Sequence, residues 1–113
     1  MHFVKLIDFT SIEESMVKGS LEALEKFGYE ASVFEEIIKT EMPPGYCAMT
    51  LGSGAALSSE AFKSQEWLNH VLEEEYLHLV QKTKGWADEF VRGTALELEL
   101  DANDSRKFPR PKD

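Results

Sequence analysis

Trp67–Lys82 reads WLNHVLEEEYLHLVQK, and this stretch decides how the rest of the chain is read. Advanced by about 100° per residue, it gathers Leu68, Leu72, Tyr76 and Leu79 on one apolar face of a helix. Glu74, His78 and Gln81 fall on a neighbouring strip, with Trp67 and Val71 on the same side. Glu75 lies between that strip and the centre of the apolar face, where a carboxylate is costly unless it is paired or hydrogen-bonded. Ser64 is placed to cap this helix, and Lys84-Gly85 to end it.

The chain around the helix has 113 residues, enough for one domain with a single core. It is 42% hydrophobic, with seven Phe, three Tyr and two Trp, so it folds rather than remaining disordered. A formal charge of −9 argues against nucleic-acid and anionic-membrane binding, which need clustered Lys and Arg. No apolar run approaches the roughly 20 residues of a membrane span, and Met1–Lys5 lacks the pattern of a signal peptide. The expected location is therefore cytoplasmic, or secreted within a larger protein. Cys47 stands alone, which excludes an internal disulfide and cysteine-based zinc sites. Three histidines, at 2, 70 and 78, make a three-imidazole site improbable, so any metal site is built largely from carboxylates.

The remaining elements follow from local chemistry. Phe3–Phe9 is a β-type run, suited to a short edge strand or an extended arm. Thr10 or Ser11 can cap a helix over Ile12–Phe27; Ser11-x-x-Glu14 has capping-box spacing, and Gly28 is a natural stop. Met16, Leu21, Leu24 and Phe27 give that helix its buried stripe. Tyr29–Met42 suits a strand or a helical turn, and a strand is expected over Phe34–Thr40. Pro43-Pro44-Gly45 turns the chain into a strand over Tyr46–Leu51. Gly52-Ser53-Gly54 turns it again, and Ala55–Ser58 makes a short further strand. Ser58–Phe62 is a helical turn. A last helix is expected from Trp86 to Ala102, and the polar, Pro-rich residues 103–113 form an extended or frayed tail. The fold class is α+β: three main helices on a two- to three-stranded sheet, in a single domain over residues 1–113.

Chemistry concentrates on the last two helices. Glu74 and His78 stand four residues apart and stack on one helical face, as two metal ligands would. Glu75 stands where the general base sits in H-E-x-x-H, although here the first His is replaced to give E-E-x-x-H. Trp86, Phe90, Gly93 and Glu97 are spaced as one stripe, making Glu97 the candidate third ligand. Zn²⁺ is the expected ion, with Mn²⁺ as an alternative. The plainer alternative is that these acids form a solvated face, His78 packs against an aromatic ring, and Glu97 is an exposed acid. His70 lies about 12 Å from His78 along the axis and cannot share an ion with it.

The order of features resembles a known family. Met42-Pro43-Pro44-Gly45-Tyr46 leads through a small-residue strand to Ala61-Phe62-x-Ser64, then to the E-x-x-H-x-x-Q of Glu75, His78 and Gln81. This is similar to the compact zincin-like metallopeptidase domains of bacterial polymorphic toxins and phage-associated proteins, over roughly Thr40 to Ala102. The resemblance implies Glu75 as general base, His78 as metal ligand and Glu97 as third ligand, with Glu74 standing where the family's first His would be. It implies peptide or protein as substrate and a cognate immunity protein as a partner. Glu in place of His favours a harder, more weakly held ion and lowers the Lewis acidity available. A slow hydrolase, a metal binder and a scaffold without chemistry all fit, as does a non-catalytic acidic interaction or immunity-type module.

Overall fold

The structure is a computed structural model, and it describes residues 4–83. Strands β1 (Lys5–Ile7), β2 (Glu36–Lys39), β3 (Ala48–Leu51) and β4 (Gly54–Leu57) form one mixed sheet in the order β1-β2-β4-β3. β1 and β2 are parallel, β2 and β4 are parallel, and β3 is antiparallel to β4. Helices α1 (Ser11–Lys26) and α2 (Gln65–Thr83) pack against each other. The α+β class stands, but the sheet has four strands where two or three were expected. The expectation left Phe3–Phe9 open between a short edge strand and an extended arm; Lys5–Ile7 within it is a strand, paired with β2. The expected third helix at 86–102, with the tail at 103–113, lies outside the described residues.

Parallel β1 and β2 need a crossover between them, and α1 supplies it. The helix begins with a reciprocal cap one residue earlier than Ser11-x-x-Glu14. Thr10 N–H donates to Glu13 Oε1 (3.0 Å) and Glu13 N–H donates to Thr10 Oγ1 (3.2 Å). Glu14 instead pairs with Lys18 one turn on, at 3.1 Å. The buried stripe is Val17, Ser20, Leu21 and Leu24; Phe27, expected in it, is 43% exposed and stands at the C-cap, and Gly28 after it takes a positive φ of 91°.

Between β3 and β4, Gly52 takes a φ of 58°, the left-handed conformation that this tight turn requires. β4 is buried along its whole length, and a Cβ on Gly54 would run into the Glu36 carbonyl oxygen of β2. Only glycine lets these two strands close there. Ile37, Ala55 and Leu57 face the helices and join Leu24, Phe34, Leu68 and Leu72 in the core.

The central element is α2. Ser64 Oγ accepts from Trp67 N–H at 3.0 Å, the expected cap. From Trp67 to Gln81 no side chain is exposed. Leu68, Leu72 and Leu79 enter the core; Asn69 accepts from Ser20 Oγ of α1; Trp67, His70, Val71 and Glu74 border a cleft. A helix enclosed in this way must find a partner for every polar side chain it carries.

Candidate metal-binding cleft

Three successive glutamates on α2 step round the helix by about 100° each and so enter three different surroundings. Glu73 points toward the α1 side, Glu74 toward the cleft strip, and Glu75 toward β3. Each meets its own partner.

Glu73 is fully buried, and Tyr29 Oη–H donates to its Oε2 at 2.8 Å. The Tyr29 ring lies 4.8 Å from that of Tyr76, whose own oxygen accepts from Glu30 N–H at 3.0 Å. Sequence reasoning missed Glu73. Its angle lies well off the apolar face built on Leu68 and Leu72. The available signal was a second stripe, Asn69, Glu73 and Leu77, spaced i, i+4 and i+8, of which Asn69 meets Ser20 of α1 while Glu73 and Leu77 are buried.

Glu75 is 7% exposed, and Thr50 Oγ–H of β3 donates to its Oε1 at 2.9 Å. The expectation of a costly acid between two faces was sound, and Thr50 is the partner that offsets the cost. Glu75 and Glu74 both line a cleft of about 250 Å³. Its other walls are the segment Gly45–Ala48 and the side chains Trp67, His70 and Val71. Trp67 Nε1–H donates to the Glu60 carbonyl (3.1 Å), which fixes the indole, and His70 stacks on that ring at 5.5 Å between centroids. Cys47 is half-buried on the same wall, with its Sγ 3.9 Å from the Glu60 carbonyl oxygen.

Glu74 and His78 meet as their spacing predicts, with Oε1 and Nε2 at 3.7 Å. Two donors on one tetrahedral ion with arms of about 2.0–2.2 Å stand roughly 3.4 Å apart, so this pair is close to bridging distance. The other ring nitrogen settles the orientation. His78 Nδ1–H donates to Gln81 Oε1 at 2.8 Å, and Nε2 is the nitrogen turned toward Glu74. Metal-ligating histidines are commonly held in this manner, one nitrogen tied down by an acceptor and the other presented to the ion. Gln81 thus does more than extend a strip; it holds the imidazole at Nδ1.

Among the described residues no group of three His, Cys, Asp or Glu side chains converges as a metal cage. Glu74 and His78 supply two donors, and the third candidate, Glu97, lies outside the described residues. Glu74 and His78 have the i, i+4 spacing that two ligands on one helical face would need. Comparison of the chain with models of known families, with curated proteins and with solved structures finds no match. The functional reading therefore rests on this geometry and on the motif spacing.

Proposed function

We propose that the chain is a metal-dependent hydrolase domain of the zincin type, peptidase-like, with Glu74, His78 and Glu97 as ligands and Glu75 as general base. The observation that carries this reading is the His78 imidazole, tied through Nδ1 to Gln81 and aimed through Nε2 at Glu74. When bound, a divalent ion would supply Lewis acidity for polarising a scissile carbonyl and activating water. The protein's own part is positioning. Thr50 Oγ–H helps fix the Glu75 carboxylate at the wall of the cleft. β3, which borders the cleft through Ala48, is an edge strand among the described residues, so an extended peptide could add to it as a further strand.

Titration calorimetry of the metal-free chain with Zn²⁺ tests the proposal. About one ion per chain is expected, as one such ligand set implies. His78→Ala abolishes binding, and Gln81→Leu weakens it by about 10- to 100-fold, the usual effect of losing an orienting partner. Glu75→Gln leaves ion affinity in place while abolishing turnover of a peptide substrate. Absence of Zn²⁺ binding near neutral pH overturns the reading.

A second reading is favoured by the same 3.7 Å separation: with a protonated imidazole, Glu74–His78 is an ordinary ion pair. The chain would then be a non-catalytic acidic interaction or immunity-type module. In that case one stoichiometric partner binds without added metal, and Glu75→Gln changes nothing.

A further inference from the structure

We propose that the edge of β3, with the acidic clefts on the two sides of the turn that leads into it, takes an extended peptide segment carrying Lys or Arg side chains. The inference names the charge class of the peptide and rests on the peptide-binding half of the reading above.

The backbone comes first. Ser58 N–H donates to the Cys47 carbonyl at 2.9 Å, and the register pairs Met49 with Ala56 and Leu51 with Gly54. In an antiparallel ladder the bonded residues alternate, so Cys47, Met49 and Leu51 turn their main-chain groups to β4. Ala48 and Thr50 turn theirs outward. Natural sheet edges are guarded by charges, prolines or bulges. Ala48-Met49-Thr50-Leu51 contains no charge and no proline, and Met49 and Leu51 are 49% and 48% exposed. Among the described residues β4 is the only sheet neighbour of this strand.

Charge selects the occupant. Two clefts flank the Pro43–Cys47 turn that leads into β3. One, of about 250 Å³, holds Glu74 and Glu75; the other, of about 140 Å³, is lined by Glu41, Met42, Ser58, Ser59 and Glu60. Both fall below the roughly 300 Å³ at which small-molecule pockets begin, a size suited to single side chains. Met42 in one and Val71 in the other offer apolar wall to a methylene stem, with carboxylates for its charged head. Trp67 already draws one ammonium, that of Lys63, to 5.2 Å from its ring centroid. With an ion on Glu74, the charges of Glu41 and Glu60 remain. A second copy of this chain is disfavoured as occupant, since each carries a formal charge of −9.

The test is fluorescence anisotropy with labelled eight-residue peptides in chelator, at low and moderate salt. Three peptides share one alternating apolar frame and carry Lys, Gln or Glu at the remaining positions. The Lys peptide is expected to bind at least tenfold tighter than the Gln peptide, and the Glu peptide not measurably. The joint variant Glu41→Gln with Glu60→Gln lowers affinity for the Lys peptide at least fivefold. Ala48→Pro removes an outward N–H without touching the β4 ladder and abolishes binding. Should that variant fail to fold, a Lys peptide N-methylated on the edge-facing amides makes the same test on wild-type protein. Equal binding of Lys and Gln peptides overturns the inference, as does full binding of the N-methylated peptide or a β3-mediated dimer in sedimentation. The chelator separates the two proposals. Selective peptide binding without Zn²⁺ affinity leaves this one standing and removes the hydrolase; Zn²⁺ affinity without peptide selectivity does the reverse.

Discussion

α1 and α2 are similar in length, 16 and 19 residues, and both carry adjacent glutamates, yet they treat those charges in opposite ways. α1 keeps one face in water. Its Glu13 and Glu14 sit in the first turn, where the helix dipole favours them, and they pair with Lys39 and Lys18. α2 has no exposed side chain from Trp67 to Gln81, and the three glutamates within that span meet Tyr29, His78 and Thr50. A surface carboxylate in this chain is a matter of solubility and capping. Between Trp67 and Gln81 a carboxylate on α2 is a buried or half-buried polar group with a partner.

The sharpest test of the contrast is apolar. Leu72→Ala on α2 is expected to cost about 2–5 kcal/mol, whereas Ile12→Ala on α1, at a side chain 76% exposed, stays within about 0.5 kcal/mol. Urea unfolding of the two variants measures both, and equal losses would break the comparison. The acids come next. Glu73→Ala strands the Tyr29 hydroxyl in the core and is expected to cost about 1–3 kcal/mol, against a few tenths for Glu14→Ala. A cycle combining Glu73→Ala with Tyr29→Phe isolates the pair, and no coupling between them would mean the hydrogen bond contributes nothing.

Two smaller effects sharpen the α1 side. Thr10→Ala removes the cap acceptor and is expected to cost about 1 kcal/mol by thermal melting. Glu13 has a pH signature. The Lys39 ammonium, at 2.6 Å, and the Thr10 backbone N–H hold its carboxyl below the usual value of 4.5. A depressed folded-state value means the unfolded chain binds more protons, so this stabilisation is fully present above pH 4.5 and is lost as pH falls through the lower value. The stability gap between wild type and Glu13→Gln should be a few tenths to about 1 kcal/mol at pH 7 and should close in acid. A gap that widens below pH 4 would contradict the assignment.

The same two helices show what was legible in the sequence. α2 could be placed from its apolar spacing, its Ser64 cap and the i, i+4 meeting of Glu74 and His78, because all three are local and periodic. Glu73 was not legible, since its burial depends on Tyr29 arriving from 44 residues earlier in the chain. The hairpin of β3 and β4 was readable from Gly52-Ser53-Gly54, whereas the parallel pairing of β1 with β2 carries no local mark. The capping box slipped by one residue because Ser11 and Glu14 repeat the pattern of Thr10 and Glu13, and only contact with Lys39 distinguishes them. At the site, the carboxylate–imidazole pair was foreseen and the wall opposite it was not. That wall is made by the Gly45–Ala48 segment, where nothing in the residue types announces a cleft.

The strand at the middle of the sheet leads to a different kind of expectation. Gly54-Ala55-Ala56-Leu57 is buried throughout, and Gly54 has no room for even one carbon beside the Glu36 carbonyl. In a library randomising every position, residues 54–56 should be among the least permissive, although a ranking by side-chain hydrophobicity would place them near the bottom of the core. Intolerance there would track volume rather than polarity, with Ala56→Ser surviving where Ala56→Leu does not.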